Sequence, residues 1–276
     1  MKRTLSIVSL AVAAAAFSCN ALAQKLDASK LTDADITSIV ERMASSGALD
    51  KAMDASVKRF AQAQQAQAAQ QRDNEAKRSS DMAKNARKVD ASRDHIFGNP
   101  AAQYSYIVYT DLECPYCKEH SGKPEEASKT FDDKVNVVMR QLPLPMHGEV
   151  ARKEAIAAEC VAKQAGSNGF FSFINKVFAA TALNGKGVPD GDAGLLVFAK
   201  ESGMKDEGAY KVCLNDPKIA QLVQDDLKDG ELAGVRGTPG NIIRDNKTGV
   251  SIAAHGYSQG GAKAIAQSIK SAFDLK

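Results

Sequence analysis

Cys114 and Cys117 bracket Pro115 and Tyr116 in the stretch DLECPYCKEH, residues 111–120. Two thiols at this spacing can bind a metal, close a short structural disulfide, or cycle between dithiol and disulfide. The run before them, QYSYIVYTD, is β-branched and aromatic and has the length of a strand, whereas the segment after them suits a helix. Cys114 therefore falls at a strand-to-helix junction. Pro115 fits the first helical position, where its missing N–H costs nothing. The Cys114 sulfur then lies beside unpaired backbone N–H groups at the positive end of the helix dipole. Sites of this kind hold a thiol at roughly 3.5–7.5, against about 8.5 for a free one. Cys117, one turn deeper, faces back toward Cys114. The first sulfur is expected to be an exposed attacking thiolate and the second the thiol that resolves a mixed disulfide. A zinc site needs two further ligands, for which Cys160 and Cys213 are available. Structural zinc pairs favour knuckle turns over a proline-led helix, so redox chemistry is favoured and no metal or other cofactor is expected.

These cysteines have to be set in the right compartment. The first 23 residues have a basic start at Lys2 and Arg3, an apolar stretch from Leu5 to Phe17, and Ala21-Leu22-Ala23 before Gln24. This is the pattern of a cleaved secretory signal, and the apolar stretch is short for a membrane span. Export removes Cys19 and leaves four cysteines in a compartment where disulfides persist. Without residues 1–23 the formal charge falls from +3 to +1, which gives no electrostatic reason to propose a nucleic-acid partner.

The remainder has two textures. Residues 24–60 carry apolar residues at helical intervals, Ile36, Ile39, Val40 and Met43, then Leu49, Met53, Val57 and Phe60 after a break at Ser45-Ser46-Gly47. Two helices this short bury too little apolar surface to fold alone, so their faces need a partner. Residues 61–92 are rich in alanine, glutamine and lysine and read as a solvated helical linker; continuous from about Ala55 to Val89, it would be about 50 Å long. Residues 93–276 alternate strand and helix: the strand before Cys114, a second in VNVVMRQL, helical segments over about 148–230, then NIIRDNKTGVSIAAHGY as two strands and a last helix. That order predicts an α/β fold around a mixed sheet with a helical insertion.

The segment HIFGNPAAQYSYIVYTDLECPYCKEH resembles the catalytic opening of the Dsb-type, thioredoxin-fold thiol–disulfide oxidoreductases of the bacterial periplasm, and GVRGTPGNII, residues 234–243, resembles their cis-proline loop. The resemblance covers about Arg93 to Lys276. It implies a thioredoxin-like fold, Cys114 as nucleophile, Cys117 as resolving thiol, and Thr238-Pro239 as a cis-peptide loop that faces them and offers backbone to a substrate strand. Pro115 and Tyr116 would complete the substrate-binding rim. Gly240, after the proline, departs from the commoner pattern. The resemblance also implies that a disulfide between Cys160 and Cys213 holds the helical insertion; two buried unpaired thiols are the alternative. Among nearby residues, His120 and His147 read as solvated positions, and Asp111 and Glu113 would raise the Cys114 pKa if they lay close to its sulfur.

Within that family a disulfide donor has no use for some 70 extra N-terminal residues, whereas the isomerases carry an N-terminal oligomerisation region and a helical linker. Thr238 before the proline is also the isomerases' habit. The resemblance therefore implies a homo-oligomeric disulfide isomerase or reductase in the periplasm, of the DsbC/DsbG type or another oligomeric DsbA-like type, with a homodimer preferred and a trimer as the alternative. It would act on misfolded disulfide-containing secreted proteins and be kept reduced by a membrane thiol reductase. A DsbA-like disulfide-donating oxidase is the alternative, and a holding chaperone or adaptor is the alternative from another class.

Overall fold

The computed structural model describes residues 31–275 except His255 and Ser258. The proposed signal, residues 1–23, lies outside the described residues. The chain divides into a first unit ending at Asp73 and a second beginning at Asn74.

In the first unit, α1 (Asp33–Ser45) starts at a capping box: the Thr32 hydroxyl accepts from the Asp35 N–H, and the Asp35 carboxylate accepts from the Thr32 N–H. It stops before Gly47, whose φ of +69° suits glycine, and α2 (Ala48–Ala83) follows. None of the α1 side chains is buried. Ile36, Val40, Met53, Val57 and Phe60 all stand open to solvent, Phe60 at 67% exposure.

The second unit is built on a five-stranded mixed sheet: β1 (His95–Phe97), β2 (Tyr104–Thr110), β3 (Val135–Gln141), β4 (Gly240–Asp245) and β5 (Ser251–Ala254), in the order β1-β3-β2-β4-β5. β2 and β3 run parallel, and the other pairings are antiparallel. β2 and β3 are buried almost throughout because helices cover both faces of the sheet. One face, with Tyr106, Val108, Val137, Met139 and Ile243, packs on the larger core. That core takes in α3 (Pro115–His120), α4 (Lys123–Ser128), α5 (Gly148–Ala180), α6 (Asp192–Glu201), α7 (Glu207–Cys213) and α9 (Gly261–Phe273). The other face, with Ile107, Tyr109, Val138 and Ile242, packs on Ala83, Ala86 and the end of α8 (Pro217–Leu232). The expected α/β thioredoxin-like fold is what the chain adopts. Cys160, in α5, and Cys213, at the end of α7, form a disulfide with Cα atoms 5.8 Å apart.

α2 ends at Ala83, short of the expected Val89. The cause is tertiary. Ala83 and Ala86 enter the core, Asn85 Nδ2 donates to Leu232 O at 3.1 Å, and Arg87 N donates to Asp229 Oδ1 at 2.6 Å. Fully buried Arg140 of β3 holds this segment: its guanidinium donates to both oxygens of Asp94, to Asp229 Oδ2 at 2.7 Å and to the Arg87 carbonyl at 3.1 Å. Removing one member of a buried, fully bonded charge set strands the rest. Arg140→Ala is therefore expected to lower the unfolding free energy by about 3–5 kcal/mol, read as a drop in the urea midpoint with little change in slope.

Candidate active site

β2 ends at Thr110, and the turn Asp111–Glu113 carries the chain into α3. Cys114 is the N-cap, with φ −85° and ψ 124°, and Pro115 is the first helical residue. The residue Cys114 is only 5% exposed and Cys117 only 2%. The attacking sulfur is thus less open than the sequence suggests, because the Thr238-Pro239 loop, whose peptide bond is cis, lies against it. As a thiol, Cys114 Sγ donates to Thr238 O at 3.4 Å. The Cys117 sulfur accepts the Asp111 N–H at 3.5 Å.

The Cys114 pKa is lowered to about 6. The largest cause is the Cys117 S–H donated to its sulfur, followed by the Thr238 side chain and the backbone N–H groups of Cys117 and Tyr116, all against the cost of burial. The Thr238 hydroxyl makes no ordinary hydrogen bond to any described residue, so no other group competes for it. Cys117 moves the opposite way: burial, then the Cys114 anion that accepts its proton, push it well above the ordinary thiol range. The lower of the pair's two titrations is therefore weighted toward Cys114 and the higher toward Cys117. Such a pair titrates as a unit.

Tyr116 is exposed at the rim between the sulfurs, its ring 5.6 Å from that of Tyr257, over which Lys123 Nζ stands at 5.3 Å. Gly240 now has a reason: a Cβ there would meet Val235 Cγ1 at 2.2 Å, so the start of β4 can follow the proline loop only with glycine.

Two expectations are corrected, and a conditional one is settled by geometry. His120 is buried, facing Tyr106 and Asn241, and burial pushes its pKa down to about 4. His147 is buried as well, with Nδ1 2.7 Å from Asp111 Oδ2. The Asp111 and Glu113 carboxyls are not among the leading influences on the Cys114 pKa, because both are engaged elsewhere. The Asp111 carboxylate accepts from the Glu113 and Leu144 N–H groups in addition to facing His147. Glu113 turns into the helical insertion, accepting from the Thr181 hydroxyl and, at 3.1 Å, from Gly187 N. Buried Glu154 on α5 is a neighbour that the sequence reading missed. Its signal was there: Ala151, Glu154, Ala155 and Ala158 form one helical stripe in which only Glu154 is polar. Among the described residues no cluster of three or more potential metal ligands occurs.

The thioredoxin family model matches residues 90–259, more than half of the chain. Among solved structures, Pseudomonas aeruginosa DsbA2 is 32% identical with a TM-score of 0.57, the match covering 66% of this chain and 95% of that one. A periplasmic thioredoxin-like protein from Salmonella enterica serovar Typhimurium shares the fold at 21% identity and a TM-score of 0.50, covering 66% of this chain and 90% of that one. Among curated proteins, the Na(+)/H(+) antiporter NhaA of Herminiimonas arsenicoxydans is 30% identical over 152 residues, 55% of this chain. The match spans only 22% of the antiporter's length, and no described helix is long and apolar enough to cross a membrane. The chain belongs to the thioredoxin family, as a thiol–disulfide oxidoreductase of the DsbA-like kind.

Since the Cys117 S–H is the largest stabiliser of the Cys114 anion, Cys117→Ala should move the Cys114 titration midpoint upward, read from thiolate absorbance against pH. Thr238→Val should move it upward by less. An unmoved midpoint in Cys117→Ala would assign the anion to Thr238 and the backbone N–H groups without the Cys117 thiol.

Proposed function

We propose that the protein is a periplasmic, homodimeric disulfide isomerase in which Cys114 is the nucleophile and Cys117 the resolving thiol. The Cys114 thiolate attacks one sulfur of a wrong disulfide, and the S–S bond breaks. A mixed disulfide forms, and the other substrate sulfur leaves as a thiolate. That freed thiolate attacks a second substrate disulfide, and a substrate thiolate finally displaces Cys114, so no net oxidation occurs. When rearrangement stalls, Cys117 passes its proton out and attacks Cys114 Sγ. The substrate is then released reduced, and a membrane thiol reductase restores the dithiol. Thr238, Pro239, Pro115 and Tyr116 receive the substrate chain, which pairs with the loop backbone as an added strand.

The observation that carries isomerisation over donation is the apolar set Ile36, Val40, Met53, Val57 and Phe60 on α1 and α2, which no described residue covers. A second copy of the chain is the natural cover for it, and two catalytic units on one substrate make the second encounter effectively intramolecular. Residues 1–23 acting as an export signal, and the likeness to a periplasmic protein, support the compartment. The rival reading, a disulfide donor, draws on the likeness to DsbA2 and on the depressed Cys114 pKa, which stabilises the reduced form and makes the disulfide oxidising.

The test is recovery of a scrambled multi-disulfide protein by catalytic amounts of the reduced enzyme. Recovery that is lost in Cys114→Ser and strongly reduced in Phe60→Glu, with Phe60→Glu monomeric by sedimentation and still able to reduce a small disulfide, is the expected result. Activity only as a stoichiometric oxidant favours the donor. Substrate protection that survives Cys114→Ser favours a holding chaperone.

A further inference from the structure

The residue leading into the nucleophile carries a second arrangement that disulfide exchange does not explain. Glu113 is fully buried, and the helical insertion closes around it. Its carbonyl accepts the Asn184 N–H at 2.8 Å, one carboxylate oxygen accepts the Thr181 hydroxyl, and the other accepts Gly187 N at 3.1 Å. The loop manages this with positive φ at Leu183, Asn184, Gly185 and Gly187. Leucine rarely adopts that conformation, so the backbone is held by what it binds.

Glu154 reaches the same spot from α5. It is 1% exposed, and neither of its oxygens makes an ordinary hydrogen bond to any described donor. A Cβ built on Gly187 would stand 3.9 Å from Glu154 Oε1, so both carboxyl groups converge on Gly187. The groups acting on Glu154 are the Glu113 carboxyl, the Asp111 carboxylate and the Val188 backbone. Of the other charged groups around this loop, His147 is engaged with Asp111, and the Lys118 ammonium lies 3.4 Å from the carbonyls of Ala179 and Thr181. Two ionised carboxylates buried together without a cation between them would be costly, and one proton between them removes that cost.

We propose that Glu113 and Glu154 form a carboxyl–carboxylate pair holding one proton between them, and that Glu154 thereby acts as a positioning residue for the turn that presents Cys114. The floor beside the nucleophile then carries one buried charge in place of two, and the Glu113 carboxylate stays aimed at the 181–187 loop. Burial, then Glu113, pushes the Glu154 pKa up to about 9, in keeping with a proton retained through neutral pH. The proposal rests on Cys114 being the reactive thiol only for its consequence; the proton itself is read separately.

The experiment is infrared spectroscopy of the intact protein in its reduced form. A protonated-carboxyl C=O band at pH 7 should be present in the wild type, fade as pH rises through about 9, and be missing from Glu154→Gln. The Cys114 titration midpoint should be unshifted in Glu154→Gln, which leaves one charge in place. It should move down in Glu113→Gln/Glu154→Gln, which leaves none. The proposal is overturned by a wild-type band set that Glu154→Gln leaves unchanged, or by a downward Cys114 shift in Glu154→Gln alone, which would mean that Glu154 was charged. If the variants do not fold, the wild-type pH series decides: no carboxyl band fading near pH 9 overturns the proposal. Because the band reports a proton and not turnover, it stands or falls apart from the isomerase reading.

Discussion

A sulfur anion at the head of a helix is the constraint on which the rest of this structure depends. Cys114 has to be ionised at neutral pH although its residue is almost closed to water, and burial by itself would push it the other way. What reverses the sign is a set of donors of different origin: the S–H of Cys117, the Thr238 side chain, and backbone N–H groups freed by the first turn of α3. No one element supplies them all. The helix, its preceding strand and a loop some 120 residues later must meet within hydrogen-bond distance of one atom.

The sheet makes that meeting possible. β2 delivers the turn into α3, and β4, which starts directly after Pro239, pairs antiparallel with β2 along six registered positions. Tyr109 opposite Gly240 is the last of these, so the ladder itself brings the proline loop to the end of the strand that leads to Cys114. On the far face, Arg140 ties β3 to the segment after α2 and to α8, which fixes the strand next to β2. On the near face, Glu113 is the peg on which the helical insertion is fastened to the active-site turn.

Much of this was legible in the residues. The strand–CPYC–helix junction, the helical run carrying Cys160 and Cys213, and the strand pair around 246–249 all follow from periodicity and turn chemistry, and the structure has the elements there. What could not be read depends on distant partners. Nothing in the polar run 61–92 shows that Ala83 and Ala86 will become core and end the helix. Arg140 sits in a strand covered on both faces, where alternation gives no cue. His120 and His147 look like surface residues until α3 and the 145–147 turn are packed down. Asp111 and Glu113 looked like threats to the thiolate by sequence distance alone; their hydrogen bonds turn their carboxylates elsewhere. Glu154 was readable and was overlooked, an acid in the middle of an alanine stripe.

The central claim is most directly tested by the rate of Cys114 alkylation as a function of pH in the reduced wild-type protein. The donor set described above predicts a rate that rises with ionisation to a plateau with its midpoint near 6. A midpoint near the free-thiol value of about 8.5 would contradict it, and the two cysteines would then be a structural pair without a reactive anion.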